Sequence, residues 1–240
     1  MKILITGGAS GLGKSITQRL ASQKDHEVFF TYCHSKDEAG RIEDQFRNTH
    51  STHVDFENNE DILRLINFMK DKDIDVLINN AISLGINKKH FHKITQEDFL
   101  EGIKRNVLPV LSITQAAIEI FRKKKIGKII TILTSSLVNK PPVGYSEYTA
   151  CKAYLLSMSK SWANENSSFN ITSNCISPAF MKTELTSDTD ERIIDQMTAE
   201  HPMKTLLSTE ETAKAVDFFV EASQQFNGIN FIINAGTDVI

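Results

Sequence analysis

Short runs in which nearly every residue is apolar or β-branched recur along the chain: KILIT (2–6), EVFFTY (27–32), THVDF (52–56), DVLINN (75–80), GKIITILT (127–134), NITSNCIS (170–177) and INFIIN (229–234). Most are continuous rather than alternating, which predicts strands covered on both faces, as in a parallel sheet. Between them lie amphipathic segments whose apolar residues recur at helical spacing: GKSITQRLASQ, NEDILRLINFMKDK, SITQAAIEIFRKKK, TACKAYLLSMSKSWANE and TEETAKAVDFFVEA. The alternation predicts an α/β fold, a Rossmann-like doubly wound parallel sheet of about seven strands with helices on both faces.

No repeat, low-complexity tract or Pro/Gly linker divides the chain, so residues 1–240 are expected to form a single domain. The least regular stretch, 181–205, has scattered charge and a short helical pattern around ERIIDQM; a polar excursion of this length predicts a substrate lid. Composition adds exclusions. A net charge of −3 with 24% charged residues offers no concentrated positive field for nucleic acid or an anionic membrane. No apolar run is long enough to cross a bilayer, and the opening MKILITGG meets glycines too soon for a secretory leader, so cytoplasmic residence is the expectation. Cys33, Cys151 and Cys175 are odd in number and widely spaced, which argues for buried thiols rather than disulfides or zinc ligands. A small-molecule partner is therefore expected first.

The candidate chemistry begins directly after the first strand. TGGASGLGKS places Gly7, Gly11 and Gly13 at the opening of a helical pattern, where glycine permits a tight turn and backbone N–H groups meet a pyrophosphate. The spacing is neither that of a P-loop nor the Gly-x-Gly-x-x-Gly form. It resembles the Thr-Gly-x-x-x-Gly-x-Gly loop of the short-chain dehydrogenase/reductase family, which implies cofactor contacts from Gly7, Ser10, Gly11, Leu12 and Gly13. DVLINNA is similar to that family's Asn-Asn-Ala-Gly motif at Asn79, Asn80 and Ala81, with Ile82 where glycine is usual. The resemblance runs over almost the whole chain.

Which dinucleotide binds is decided at the end of the second strand, where an acid would accept from a ribose hydroxyl. Thr31, Tyr32, Cys33, His34 and Ser35 supply no carboxylate there, while His34, Ser35 and Lys36 can surround a 2′-phosphate, so NADP is expected over NAD. Asp55 follows the third strand, where the family places an acid near adenine; as a turn former or cap it would need no ligand.

Hydride transfer to a carbonyl needs a proton donor, and tyrosine with a pKa near 10 is a reluctant one until an ammonium favours its phenolate. SEYTACKA puts Tyr148 and Lys152 on one helical face, a pair that in isolation also suits plain solvation. Thirteen positions before Tyr148 lies Ser135, at a strand's C-terminal end. Its spacing matches the family's carbonyl-orienting serine, while counting forward along the strand permits Thr134 and a one-residue loop shift would select Ser136. Asn106 sits in KRNVLPVL, where Pro109 cannot donate to the carbonyl of Arg105, so the helix should loosen beside it. The resemblance makes Asn106 the residue that holds a proton-relaying water and completes the set Ser135, Tyr148, Lys152 and Asn106. Past the sixth strand, SPAFMKTEL matches the nicotinamide-side segment at Pro178 and Thr183, with Ala179 replacing glycine.

These motifs imply an oxidoreductase moving hydride between NADP(H) and a ketone or secondary alcohol, with Tyr148 as acid and base. The alternatives are a 3-oxoacyl-carrier-protein reductase-like enzyme and a non-catalytic NADP(H)-binding sensor. The resemblance also implies a homo-oligomer, tetramer or dimer. No metal site is expected: His90 and His92 have no evident third ligand.

Overall fold

The computed structural model describes residues 1–82, 88–138 and 140–237. Its elements in chain order are β1 (Lys2–Ile5), α1 (Gly11–Ala21), β2 (Glu27–Tyr32), α2 (Lys36–Gln45), β3 (Thr49–His53), α3 (Asn59–Lys72) and β4 (Val76–Asn79). They continue with α4 (Gln96–Asn106), α5 (Leu108–Lys124), β5 (Gly127–Ile132), α6 (Ser146–Asn166), β6 (Ile171–Pro178), α7 (Glu191–Glu200), α8 (Thr209–Glu221) and β7 (Asn230–Ile233). All seven strands are parallel, in the order β3-β2-β1-β4-β5-β6-β7. The chain reverses its direction of travel across the sheet between β1 and β4, and a crevice at that switch point is where such sheets take their ligands.

Strand side chains alternate between two cores. Leu4, Phe29, Leu77 and Ile129 point to the face covered by α3, α5 and α6, whereas Ile3, Ile5, Phe30, Ile78 and Ile130 point to the face covered by α1, α2 and α8. Burial on both faces explains why the strands read as unbroken apolar runs. Each fully buried Leu or Ile of this kind contributes about 1.5–3 kcal/mol.

β3 departs from the expected 52–56: it spans the polar stretch THSTH and pairs Val28 with Thr49 through Tyr32 with His53. The Asn48 side-chain amide donates to the carbonyls of Ala21 (3.0 Å) and His26 (2.9 Å), while Val28 N–H donates to Asn48 O. These bonds fix where the ladder starts. As an edge strand β3 needs apolar groups on one side only, so its polarity hid it.

Candidate active site

At the C-terminal edge of β1 the chain turns through Thr6–Ser10 into α1. Gly7 and Gly11 hold positive φ (+65° and +48°), and a Cβ on Gly13 would lie 1.9 Å from Gly7 O, so this turn tolerates no side chain there. Three threonines and an asparagine clamp it. Thr31 accepts from Gly7 N–H through its Oγ1 (2.9 Å) and from Gly8 N–H through its carbonyl (2.8 Å). Thr17 Oγ1 lies 2.9 Å from both Gly8 O and Gly13 O. Thr6 Oγ1 accepts from the N–H groups of Asn80 and Ala81, each at 3.0 Å, and Asn80 Nδ2 donates to Gly7 O at 3.0 Å. The clamp role of Thr6, Thr17 and Thr31 is not legible in the sequence, because a threonine at a strand end or within a helix carries no signal until its partner is known. Ser10 caps α1 in an extended conformation without a side-chain cap bond, and no acidic residue fills α1's first turn. A diphosphate fits such a helix start.

The other expected cofactor positions surround this turn. His34 and Ser35 form the passage from β2 into α2, with His34 Nε2 3.6 Å from Cys33 Sγ and Ser35 as the N-cap. Asp55 Oδ1 accepts from Glu57 N–H (2.9 Å), the turn-forming role its sequence also allowed. Pro178 ends β6. Thr183 opens a short helical turn over 184–186, packed against the glycine turn: a Cβ on Gly11 would meet Thr183 Cβ at 3.3 Å. Lys88 Nζ donates to Asp188 (2.5 Å) and lies 5.9 Å from the Tyr145 ring centroid, tying residues beside the site to segment 181–205.

Opposite the glycine turn, α6 carries Tyr148 and Lys152 one turn apart on the face toward the sheet. Lys152 is 8% exposed, and its Nζ donates to the carbonyl of Ile132, the last residue of β5, at 2.7 Å. Burial pulls this ammonium down to about 8, the nearby Cys151 and Cys175 opposing weakly. Burial pushes the Tyr148 phenol the other way, up to about 12, against a hydrogen bond from Thr134 that lowers it. The expectation that Lys152 brings the tyrosine pKa down is therefore corrected. The ammonium is 5.9 Å from the Tyr148 ring centroid and engaged with a strand-end carbonyl, and the rise of the phenol comes from its burial, with no opposing contribution from Lys152.

Of the three candidate hydroxyls, Thr134 is the one whose side chain opposes the rise of the Tyr148 phenol. Its Oγ1 lies 3.2 Å from Ser136 Oγ and accepts from Ser136 N–H at 3.3 Å. Ser135 begins the short helical turn 135–137 that Thr134 caps, and its carbonyl accepts from Val138 N–H (2.9 Å).

The loosening expected at Pro109 is present: α4 ends at Asn106, Val107 is stretched to φ −113° while staying in the right-handed helical region, and α5 starts at Leu108 with Pro109 in its first turn. Asn106 thereby faces a cavity of about 20 Å³ shared with Ile82, Glu147, Tyr148 and Lys152. That volume holds about one water.

A switch point in the sheet, a glycine turn that opens a helix, and a Tyr-x-x-x-Lys pair beside a strand end define a dinucleotide-dependent oxidoreductase site. The chain belongs to the short-chain dehydrogenase/reductase family: the family model described as enoyl-(acyl carrier protein) reductase matches residues 7–238. It is 31% identical over 239 residues to the 3-oxoacyl-[acyl-carrier-protein] reductase FabG of Buchnera aphidicola subsp. Schizaphis graminum, covering 97% of this chain and 95% of that one. It is 30% identical over 228 residues to the corresponding reductase MabA of Mycobacterium avium (93% and 84% covered). Against an acetoacetyl-CoA reductase of Allochromatium vinosum the identity is 29% over 245 residues (97% and 96%). The fold matches a crystal structure of an actinorhodin polyketide ketoreductase variant with NADPH, with a TM-score of 0.87 at 20% identity, covering 99% of this chain and 97% of that one. Among the described residues no helix is long and apolar enough to cross a membrane.

Proposed function

We propose that this enzyme reduces the ketone of a 3-oxoacyl thioester with NADPH. The observation that carries the reading is the placement of Tyr148, which shares a cavity with Asn106 and with Lys152, the latter anchored on the last carbonyl of β5. Burial keeps this phenol protonated, so it carries the proton that a developing alkoxide must receive in carbonyl reduction. When bound, the nicotinamide supplies the hydride. Gly7, Ser10, Gly11, Leu12 and Gly13 would hold the pyrophosphate, His34 and Ser35 the 2′-phosphate, Asn80 and Ala81 the neighbouring ribose, and Pro178 and Thr183 the nicotinamide end. Lys152 orients the cofactor-side hydroxyls. Asn106 and the adjoining cavity carry the replacement proton to Tyr148, and residues 181–205 close over the substrate. The same reading places the enzyme in the cytoplasm as a dimer or tetramer.

The relatives named for 3-oxoacyl and acetoacetyl thioesters favour a carbonyl substrate over the enoyl group of the family description. Loss of NADPH absorbance is expected with acetoacetyl-CoA and not with crotonyl-CoA; turnover of the enoyl ester alone would overturn the proposal.

We assign carbonyl polarisation to Ser135, at the position that matches the family's serine, with Thr134 as the alternative that forward counting along β5 allows. Ser135→Ala should lower kcat by about 10²–10³, the usual loss for one such donor, while Ser135→Thr keeps most activity and Thr134→Ala loses less. Steady-state kinetics with the reverse ranking would move the role to Thr134.

A further inference from the structure

Beyond β2 the chain enters α2 at Lys36, and Glu38 in the first turn reaches across to α1. Glu38 Oε1 is 2.7 Å from Lys14 Nζ, and Oε2 is 3.0 Å from Arg41 Nη1. One carboxylate thus holds two cations, one per oxygen, and the bond from Lys14, then that from Arg41, keeps its pKa below the usual range. Lys14 directly follows Gly13, so it is rooted in the helix whose first turn would receive the pyrophosphate; Glu38 and Arg41 are rooted in the helix that begins beside the ribose position. Burial, and then the charges of Asp55, Asp61 and Glu57, hold the Cys33 thiol above its ordinary value. Within residues 33–36, Lys36 is the one side chain with a permanent charge. Lys14 and Arg41 are thus both already engaged by Glu38.

We infer that Lys14 and Arg41 are the cations that recognise the cofactor's 2′-phosphate, and that Glu38 is a built-in competitor for them which sets the preference between NADP and NAD. This rests on the NADP reading above. With an unphosphorylated ribose the Lys14–Glu38–Arg41 cluster stays closed and contributes nothing. A 2′-phosphate draws Lys14 and Arg41 away from Glu38, so its gain is reduced by the ion pairs it breaks. Lys14 is 38% exposed and Arg41 75%, so both retain the freedom to swing.

Dissociation constants for NADPH and NADH, measured by fluorescence titration of the full-length protein and its variants, test this. Lys14→Ala should weaken NADPH about tenfold, as expected for one charge-assisted phosphate bond, and leave NADH unchanged, with Lys14→Arg restoring the preference. Glu38→Gln should tighten NADPH about threefold, the worth of an exposed ion pair, leave NADH unchanged, and lose its effect in the Lys14→Ala background. Melting curves confirm that each variant is folded. A wild-type preference for NADPH that survives Lys14→Ala, or parallel losses for both cofactors, would make the cluster a mere tie between α1 and α2 and overturn the inference alone. A wild-type preference for NADH overturns the NADP reading and the inference with it.

Discussion

Tyr148→Phe is expected to remove about 10²–10⁴ of turnover, the usual contribution of a placed general acid, while the dissociation constant for NADPH stays as in the parent enzyme. The substitution deletes one oxygen from a ring that is otherwise held by packing, including an edge contact with Tyr145 at 6.1 Å between centroids. Thr134 keeps its bonds to Ser136, so the strand end should not rearrange. Because the phenol stands at about 12 in the cofactor-free protein, reduction proceeds from a fully protonated acid across the neutral range. Oxidation of the corresponding alcohol requires the phenolate and should be slow at neutral pH. Stopped-flow binding beside steady-state kinetics separates the two effects, and retention of turnover by the phenylalanine variant would remove Tyr148 from the chemistry.

The second large effect belongs to Lys152. Its folded pKa of about 8 lies below its ordinary 10.5, so the fold penalises the charged form. Below about pH 8 both folded and unfolded chains hold the proton and the penalty is fully present. Between about 8 and 10.5 the unfolded chain binds a proton that the folded chain has released, so stability rises with pH across that window. Relative to Lys152→Met, the cofactor-free wild type should gain on the order of 3 kcal/mol there, readable from denaturant midpoints at matched pH. The same titration should appear in catalysis, since kcat/KM reports groups of the free enzyme. We expect kcat/KM for ketone reduction to fall above about pH 8. Lys152→Met should lose both that limb and at least about 10² of activity. A flat profile in the parent enzyme would show that the lysine's charge is not used.

How legible these features were in the sequence depended on the range of the forces involved. Six strands and the main helices followed from apolar spacing, because Leu4, Phe29 and Ile129 on one face and Ile3, Phe30 and Ile130 on the other obey local periodicity. β3 did not, since its position is fixed by Asn48 reaching carbonyls more than twenty residues away. The glycine turn and the Tyr148–Lys152 pair were legible as motifs, and the helix break at Asn106 followed from Pro109 alone. The direction of the Tyr148 shift was not, because it is set by how far the phenol is desolvated rather than by its sequence neighbour. Nor could spacing choose among Thr134, Ser135 and Ser136, which differ only in how the strand end twists into the next turn.

The threonine and asparagine clamp around the glycine turn bears on the thermodynamics of ligand capture. Hydrogen bonds from β2, α1 and the end of β4 hold that turn before any ligand arrives. Its conformational entropy is therefore lost during folding and not during association. The enzyme meets its cofactor with a preorganised receptor, so association should be limited by encounter and not by any ordering of the glycine turn.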